Sequence, residues 1–453
     1  MHRIAATLAL LALSLPASAA ERIALVGGTL IDGFGGAPVE DSVLLVDTKG
    51  RIESVGTVTT LRVPEGVRVV STEGMSVLPG LWDMHVHLML VGHSDYAHWD
   101  RTYPKRLRGE VMPAAAKQLL HAGVTSARDL GAPLEDSIAV RDAQRRGEIE
   151  GPTLYVSGPF IQHEAYPGTE AFRWGVSGAD DAKRKVQRLC DAGVDVIKLI
   201  DQDQMTRAEA QAVADTAHAC GKMVVAHAHR PDEIRVGLAI GADDFEHTGL
   251  SSAPEYPADI VEGIAARTAS MAKGPLWWTP TIEGLWNYEY VRDHREGLDD
   301  PAWKEGLQPD TIADIEGSIQ HPDQLPYFQL TPLRKPTLAT KFGQLRRAGV
   351  VMLIGTDSGI PMKFHSRSTW NEIDVWTREL DVPAMQAIRA ATYWPAVAMK
   401  VDKDYGTLTP GKFADVIAVR GDVLRYPALL QNVPFVMQHG RVVKDERQSV
   451  SRE

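Results

Sequence analysis

The two ends of the chain alternate apolar and polar residues in short runs, whereas the middle has a different rhythm. Residues 22 to 79 hold three such runs, RIALVGGTLIDG, SVLLVDTKGRIESVG and VRVVSTEGMSVLPG, broken by glycine-containing turns. The stretch from about 404 to 445 repeats that texture in YGTLTPGKFADVIAVRGD and PFVMQHGRVVKD. A period of two is typical of strands that bury one face. The pattern predicts one small discontinuous β-sandwich domain, built from residues 21–79 and 403–448.

Residues 80–402 alternate short apolar runs with amphipathic helical patterns such as AAAKQLLHAG, DDAKRKVQRLCDAG and RAEAQAVADTAHACG, many closed by glycine. The strand candidates are WDMHVHL, VTSARDL, TLYVSG, VDVIKLI, KMVVAHAH, DDFEHTG, LWWTPT and VVMLIGTDS. Eight strands in this alternation predict the α/β class and a (β/α)8 TIM barrel, with its active site at the strand C-terminal ends. The competing fold is an open doubly wound sheet, but no glycine-rich phosphate loop follows the first strand.

Three connections are longer than joining neighbouring elements requires: about 88 to 112, 158 to 180, and 282 to 332. Long connections in a compact domain are usually functional or disordered. The third is rich in aromatic residues, namely Trp286, Tyr288, Tyr290, Trp303, Tyr327 and Phe328. A lid over a substrate and a contact with a neighbouring subunit both explain that composition, so homo-oligomerisation is left open.

The first twenty residues, MHRIAATLALLALSLPASAA, have the layout of a cleaved secretory signal peptide: a basic start, a short apolar run and an A-x-A site. We therefore expect a periplasmic or secreted protein, with no membrane span and no lipid anchor. The formal net charge of -11 argues against nucleic acid or an anionic membrane surface as a partner. The composition leaves a small-molecule substrate open.

Only two cysteines occur, Cys190 and Cys220. Export permits a disulfide, but two cysteines cannot form a framework, and we expect free buried thiols. Their spacing is not a zinc motif.

Residues able to bind a metal follow several of the predicted strands. His85 and His87 are two residues apart in WDMHVHL and so leave the same face of a strand. Further along come Lys198 in DVIKLI, His227 in VVAHAHR, His247 in DDFEHTG and Asp357 in LIGTDSG. The separations of Lys198, His227 and His247 each correspond to about one βα unit, and a closed barrel places the last strand beside the first. Together these positions predict a metal site.

Each proposed ligand also has an interpretation that needs no metal. Lys198 would be a buried ammonium paired with a structural aspartate; as a metal ligand it would instead be a neutral amine that reacts with carbon dioxide to give a carbamate. His247 would be a core histidine, with Glu246 pointing away, and Asp357 would cap a helix. His229 shares the face of His227, so the residues alone do not choose between them.

The motifs PGLWDMHVH, DVIKL, AHAH, FEHTG, GTDSG and PGKFADVIAV resemble the amidohydrolase superfamily, in particular its binuclear branch of Xaa-Pro dipeptidases and imidazolonepropionase-like proteins. The resemblance implies two divalent ions, bridged by an N6-carboxylated Lys198. His85, His87 and Asp357 would hold the more buried ion, and His227 and His247 the more exposed one. In such HAH pairs the first histidine is the usual ligand. The nitrogen and oxygen ligands suit zinc, with manganese or cobalt as alternatives.

The resemblance also implies hydrolysis by metal-activated hydroxide, with Asp357 as the proton carrier. We expect an exported enzyme that cleaves an amide of a dipeptide or N-acyl amino acid. His163 would stabilise the oxyanion and His229 would orient substrate, both by hypothesis. Candidate pocket aromatics are Phe160, Tyr166, Trp174, Trp278 and Trp286. The alternatives are a lactonase, cyclic-amide or phosphotriester hydrolase on the same site, and a non-catalytic extracytoplasmic binding protein.

Overall fold

Strands from both ends of the chain form one eight-stranded sheet. The computed structural model describes residues 21–249, 251–270, 274–293, 298–321 and 325–447, so the proposed signal peptide, residues 1–20, lies outside the described residues. The strands are β1 (Ile23–Leu30), β2 (Val39–Val46), β3 (Ile52–Thr57), β4 (Arg68–Ser71), β5 (Met75–Pro79), β16 (Val416–Arg420), β17 (Phe435–Gln438) and β18 (Arg441–Asp445). Their order is β18-β17-β16-β5-β1-β2-β3, with β4 paired to β1.

The strands of the predicted sandwich domain are not divided into two separately hydrogen-bonded sheets. Strand β1 pairs with β2, β4 and β5, and β5 pairs antiparallel with β16, so all eight are hydrogen-bonded into one sheet. Successive residues of β1 point to opposite sides: Ala24 belongs to one apolar cluster and Leu25 to another. Both faces of the sheet are therefore partly covered.

The middle of the chain contains all eight predicted strands and two more. They are β6 (Leu81–Val86), β7 (Val124–Asp129), β8 (Thr153–Val156), β9 (Phe160–Gln162), β10 (Arg173–Gly175), β11 (Val196–Leu199), β12 (Met223–His227), β13 (Asp244–Glu246), β14 (Trp277–Thr279) and β15 (Val351–Met352). Every pairing among them is parallel. The additional strands β9 and β10 lie in the long 158–180 connection.

These strands run as two sheets, β6-β7-β8 and β10-β9-β11-β12-β13-β14-β15, rather than as one closed ladder. At one seam the Asp195 N–H donates to the Val156 carbonyl over 2.8 Å. At the other, Val86 and Ser358 form an isolated parallel bridge. Strand β15 is only two residues long, so the segment beyond it contacts β6 through separate backbone hydrogen bonds, such as the one that Met84 N–H donates to the Ile354 carbonyl. The fold is a TIM-barrel-like α/β arrangement with a second, β-rich domain, and the predicted barrel is confirmed to that extent.

Helices occupy most of the connections between the parallel strands. They are α1 (Tyr96–Thr102), α2 (Met112–His121), α3 (Leu134–Arg145), α4 (Ala179–Asp191), α5 (Arg207–Ala219), α6 (Pro231–Ile240), α7 (Ala258–Ala269), α8 (Gly284–Asp293), α9 (Pro309–Ser318), α10 (Pro326–Arg347), α11 (Ser368–Glu379), α12 (Ala384–Ala390) and α13 (Tyr393–Ala398). The three helical patterns read from the sequence correspond to α2, α4 and α5. Helix α5 begins with a capping box between Thr206 and Glu209. In the part of the chain that the structure describes, none of the helices combines the length and apolarity needed to cross a bilayer.

The expectation of free thiols is wrong, because a disulfide joins Cys190 and Cys220. Cys190 lies in the last turn of α4 and Cys220 is the C-terminal cap of α5. Their separation of 30 residues is one βα unit. Such a spacing puts the two cysteines at the same level of neighbouring helices, with Cα atoms 6.4 Å apart.

Candidate metal centre

Three of the predicted ligands meet where β6 ends beside the chain that follows β15. Asp357 Oδ1 lies 3.0 Å from His87 Nε2 and 3.4 Å from His85 Nε2. The two Nε2 atoms are 3.3 Å apart. A tetrahedral zinc ion with bonds of about 2.0 to 2.1 Å sets neighbouring ligand atoms roughly 3.3 Å apart. The three side chains are spaced to share one ion.

A second group lies on the neighbouring strands. His227 ends β12, His229 follows it, and His247 follows β13; each offers a ring nitrogen within 4.8 Å of the others. The rings of His227 and His229 are both 4.4 Å from the ring of His247. The structure therefore brings His229 as close to the group as His227. His247 also lies with His85 and Asp357, so it connects the two groups.

Among the residues that the structure describes, four buried nitrogen atoms at this cluster lack a hydrogen-bond partner: Lys198 Nζ, His227 Nδ1, His229 Nε2 and His247 Nε2. Buried polar atoms are normally paired, since an unpaired one is costly. Burial lowers the pKa of His85, His227 and His247 well below the ordinary value, and it lowers that of His229 to about 3. Neutral imidazoles with free lone pairs are what a divalent cation binds. The donor set thus fits metal ions.

Lys198 projects from β11 into the same cluster and is 1% exposed. Burial lowers its pKa to about 8, although the Glu246 and Asp357 carboxylates oppose the shift. The amine therefore loses its proton more readily than an exposed lysine. None of the described residues accepts a hydrogen bond from Nζ, so the pairing with a structural aspartate considered from the sequence is not formed.

Glu246 does not point away, as the sequence suggested, but contacts the first histidine. Its Oε2 lies 2.6 Å from His85 Nδ1, and its Oε1 accepts a 2.6 Å hydrogen bond from Arg128 Nη2. Arg128 also donates to Asp244 over 2.6 Å, and all three charged side chains are fully buried. Because a carboxylate accepts the His85 Nδ1 proton, the Nε2 lone pair is left facing Asp357 and His87.

The reason that Glu246 and His247 both face the interior is a change in backbone conformation. His247 has φ 77°, in the left-handed region, directly after β13 ends. That conformation breaks the strict alternation of a strand, so two consecutive side chains reach His85. Asp357 is also left-handed, at φ 61°. Such residues cost about 1 to 3 kcal/mol each and persist where the surroundings hold them.

Asp83, on β6, holds the two sides of the site together. Its Oδ2 accepts hydrogen bonds of 2.7 Å from the hydroxyls of Thr356 and Thr369. Its Oδ1 accepts from the backbone N–H groups of His85 and Thr356. Burial nevertheless raises the pKa of Asp83 to about 6. The carboxylate thereby fixes the backbone next to both His85 and Asp357.

A cavity of about 720 Å³ opens above the cluster. All six predicted ligands line it, as do His229, Phe160 and Tyr166. The Phe160 ring lies 5.8 Å from the His87 ring, and the Tyr166 hydroxyl donates to Asp201 over 2.9 Å. These are the predicted site residues that the structure brings together.

Four predicted residues do not line the cavity among the described residues. His163 directly follows β9, and its side chain is 43% exposed, with Nδ1 3.9 Å from Glu209 Oε2. The Arg188 guanidinium lies over the ring of Trp174, and the Lys335 ammonium lies over the ring of Trp286. Trp278 is fully buried and donates to the His247 carbonyl. Aromatic content in the sequence did not reveal which rings face the cavity.

The sequence reasoning missed several residues of the site. The cavity is also lined by Tyr96, Phe172, Arg173 and Tyr327, and the His85 ligand depends on Arg128 and Asp244. The sequence did contain a signal for Arg128, Asp244 and Glu246. Asp244 and Glu246 alternate in a short buried strand, and charged residues on one buried face require a partner of opposite charge.

A family model, the Amidohydrolase family, matches residues 76–445. The chain belongs to the amidohydrolase family. The family membership that the motifs suggested is confirmed, and the protein is a hydrolase acting on carbon–nitrogen bonds of small molecules. The family typically binds metal ions, in agreement with the cluster.

The chain is similar to several characterised proteins at low identity. A 5-methylthioadenosine/S-adenosylhomocysteine deaminase of Symbiobacterium thermophilum is 23% identical over 471 aligned positions, covering 94% of each chain. A Xaa-Pro dipeptidase solved with methionine in its active site is 21% identical, with a TM-score of 0.71 over 94% of this chain and 100% of that one. Phenylurea hydrolase B is 20% identical, with a TM-score of 0.72 over 93% of this chain and 97% of that one. The structural matches support the fold.

Proposed function

We propose that this amidohydrolase is an exported metalloenzyme that cleaves an amide bond of a dipeptide or N-acyl amino acid. The observation that carries the proposal is the cluster of histidines, Asp357 and Lys198 that lines one cavity. Within the described part of the chain, its buried nitrogen atoms on Lys198, His227 and His247 have no hydrogen-bond partner. The likeness of the fold to a Xaa-Pro dipeptidase supports the substrate class.

Two divalent ions, with zinc as the first choice, would be held by two sets of ligands. His85, His87 and Asp357 form the first set, and His227 and His247 the second. When bound, divalent ions provide Lewis acidity toward a carbonyl oxygen and lower the pKa of water. Lys198 would bridge the sets as a carbamate: its neutral amine adds to carbon dioxide, forming the N–C bond and releasing one proton.

The remaining steps belong to side chains of the protein. Asp357 lies at the junction of the two sets, where its carboxylate accepts a proton from the attacking water and returns it to the amine that leaves. Phe160 covers the His87 side of the cavity and excludes bulk water. His229 orients the substrate. His163 and Trp286 have no part in this proposal, because neither lines the cavity.

Export is part of the proposal. The layout of residues 1–20 supports it, and so does the Cys190–Cys220 disulfide, since disulfides persist in oxidising compartments. Detection of the mature chain starting near residue 20 in a periplasmic fraction, with no free thiol, is the expected result. A cytoplasmic chain that keeps its first residues would contradict it.

The central experiment measures metal content and turnover of the mature protein after growth in metal-supplemented medium. Dipeptides including Xaa-Pro, N-acyl amino acids, lactones, phosphotriesters, a phenylurea and 5-methylthioadenosine form the panel. We expect stoichiometric metal and hydrolysis of the first two classes. Turnover of another class alone would replace the proposed substrate. Stoichiometric metal with no turnover would favour a binding protein, and absence of metal would contradict the proposal outright.

Carboxylation of Lys198 is tested with ¹³C-labelled bicarbonate and NMR. The chain provides a matched control, since Lys341 is also fully buried, with a pKa that burial lowers to about 8, but donates to backbone carbonyls of Gly249 and Ser251. A carbamate resonance should disappear in Lys198→Met and persist in Lys341→Met. Its persistence in Lys198→Met would refute the bridge.

Substitution tests whether His227 or His229 of the HAH pair is the metal ligand. His227→Asn should lower the bound metal toward half, because it removes a ligand of the second set. His229→Asn should keep full metal content and raise KM. The reverse pattern would exchange their roles.

A further inference from the structure

Arg173 lies in the cavity beside the ligand cluster, and no described carboxylate forms an ion pair with it. Arg173 begins β10 and pairs across the ladder with Phe160 on β9. Its guanidinium carbon lies 4.5 Å from the ring centre of Tyr166, 5.1 Å from that of Phe160 and 5.5 Å from that of Phe172. The three rings hold the planar group in place at the cavity wall.

The hydrogen bonds of Arg173 leave most of its donors unused. Its Nη1 donates to Gln162 Oε1 over 3.2 Å, and its buried Nε finds no acceptor in the described part of the chain. Among the described residues, no carboxylate comes within 4.0 Å of it, although Asp100 and Asp201 line the same cavity. Asp201 is engaged by Tyr166 and Arg230.

Two arginines near Arg173, one of the cavity and one beneath it, are neutralised by carboxylates. Arg230 bonds with Asp201, Asp203 and Glu233. Arg128 bonds with Asp244 and Glu246. Arg101 also lines the cavity with no carboxylate partner among the described residues, but it is exposed, so water solvates its charge. A partly buried guanidinium costs free energy unless an anion meets it, and its flat fork matches a carboxylate with two parallel hydrogen bonds.

Arg173 lies a short distance from the ligand cluster, where the amide bond would be cleaved. The Phe160 ring contacts both Arg173 and His87, so a single ring separates the guanidinium from a ligand of the cluster. In an N-acyl amino acid the carboxylate is three bonds from the carbonyl carbon of the amide. A substrate of this kind spans the short path from cluster to guanidinium.

We propose that Arg173 binds the free carboxylate of the substrate, and that the enzyme selects amides whose cleaved bond is next to a carboxylate. This rests on the proposed amide hydrolysis and narrows it: uncharged lactones, anilides and phosphotriesters lack the group that Arg173 recognises. Asp357 and the histidines act on the amide, while Arg173 fixes its orientation.

The test compares N-acetyl-L-leucine with N-acetyl-L-leucinamide, which differ only in the carboxylate. For Arg173→Gln we expect kcat/KM to fall by roughly 30- to 1,000-fold on the acid and by less than about threefold on the carboxamide. Arg173→Lys should recover part of the loss through KM, because it restores the charge without the fork. Equal losses on both compounds, or no loss on the acid, would overturn the assignment.

Arg188 is the matched control. It stacks on an aromatic ring as Arg173 does, at 4.9 Å from the centre of Trp174, but it lies outside the cavity lining. Arg188→Gln should leave both kcat/KM values unchanged. A loss confined to the acid in this variant would show that general surface charge, and not Arg173, gives the preference.

A binding measurement separates failure of this inference from failure of the proposed function. If the metal-loaded protein cleaves neither compound, calorimetry with N-acetyl-L-leucine still tests Arg173: binding to the unsubstituted protein that weakens at least about 30-fold in Arg173→Gln supports it. Cleavage of uncharged amides, with no preference for the acid and no binding of it, would overturn the Arg173 assignment alone.

Discussion

The floor and the mouth of the cavity are built from different parts of the chain. The floor lies on strands, directly after them or, for Asp357, in the segment that follows β15. It consists of His85, His87, Lys198, His227, His247 and Asp357. The mouth consists of Tyr96, Phe160, Tyr166, Phe172, Arg173 and Tyr327, all from the three long connections. Lys198 in the floor is 1% exposed and Tyr166 in the mouth is 49% exposed. The reacting groups are thus held by the sheet, and substrate selection is left to segments that tolerate change.

The two regions also differ in how their side chains are held. In the floor, Asp83 and Glu246 fix ligands through buried hydrogen bonds of 2.6 to 3.1 Å. In the mouth, ring contacts dominate, and Tyr96 and Tyr327 meet through one hydroxyl pair at 3.3 Å, which joins the first and third connections. We expect substitutions in the floor to affect metal binding and stability, and those in the mouth to affect KM.

The largest effect is expected at Asp357, where both sets of ligands meet. Asp357→Ala removes a ligand and the proton acceptor, so kcat/KM should fall by at least about 1,000-fold. Bound metal, measured by elemental analysis, should fall with it. Activity within tenfold of the unsubstituted protein would mean that the floor is not the reaction centre.

A large loss of stability is expected from Arg128→Met, beneath the floor. The substitution leaves Asp244 and Glu246 buried without their counter-ion, which should lower the free energy of unfolding by about 3 to 5 kcal/mol. Urea unfolding of the metal-free protein measures it, with the exposed Arg188→Met as the control. A change in the free energy of unfolding below about 1 kcal/mol would show that the Arg128 network does not stabilise the fold.

A smaller effect is expected from Glu246→Gln, which keeps the shape of the side chain and removes its charge. The amide accepts the His85 Nδ1 proton more weakly than the carboxylate does, so metal affinity should fall by about 10- to 100-fold. Competition with a chelator measures the affinity. An unchanged value would mean that Glu246 serves only Arg128.

The smallest effect is expected in the mouth. Tyr166→Phe removes one part-buried hydrogen bond to Asp201, so KM should change by about 2- to 10-fold with metal content unchanged. Steady-state kinetics on the best substrate of the panel, alongside elemental analysis, checks it. Metal loss in this variant would erase the distinction between floor and mouth.

Regular elements were predictable because periodicity is a local property of the chain. Strands β7, β8 and β11 to β15 fall within the runs read from the sequence, and β6 begins one residue before its run, at Leu81. The mouth was less predictable: Phe160 and Tyr166 line the cavity, but Trp174, Trp278 and Trp286 do not. An aromatic residue in a long connection gains as much from packing in the core as from facing a cavity, and composition does not separate the two.

The disulfide and the sheet built from both chain ends show the same limit of prediction from sequence. The 30-residue spacing of Cys190 and Cys220 was visible, but only the alignment of α4 with α5 brings their Cα atoms to 6.4 Å. The alternating patterns of both chain ends were visible too, yet the pairing of β5 with β16, which makes them one sheet, is a long-range contact.

The sequence by itself determined the family, the strand positions and the identity of the chemical groups, because motifs and hydrophobic periods are written in neighbouring residues. The tertiary structure decided which groups meet. It turned Glu246 toward His85 through the left-handed His247 and placed His229 as near the cluster as His227. It also placed Arg173 in the cavity with no ion pair to any described carboxylate. These outcomes depend on backbone conformation and on charges brought together from distant parts of the chain, which no local pattern records.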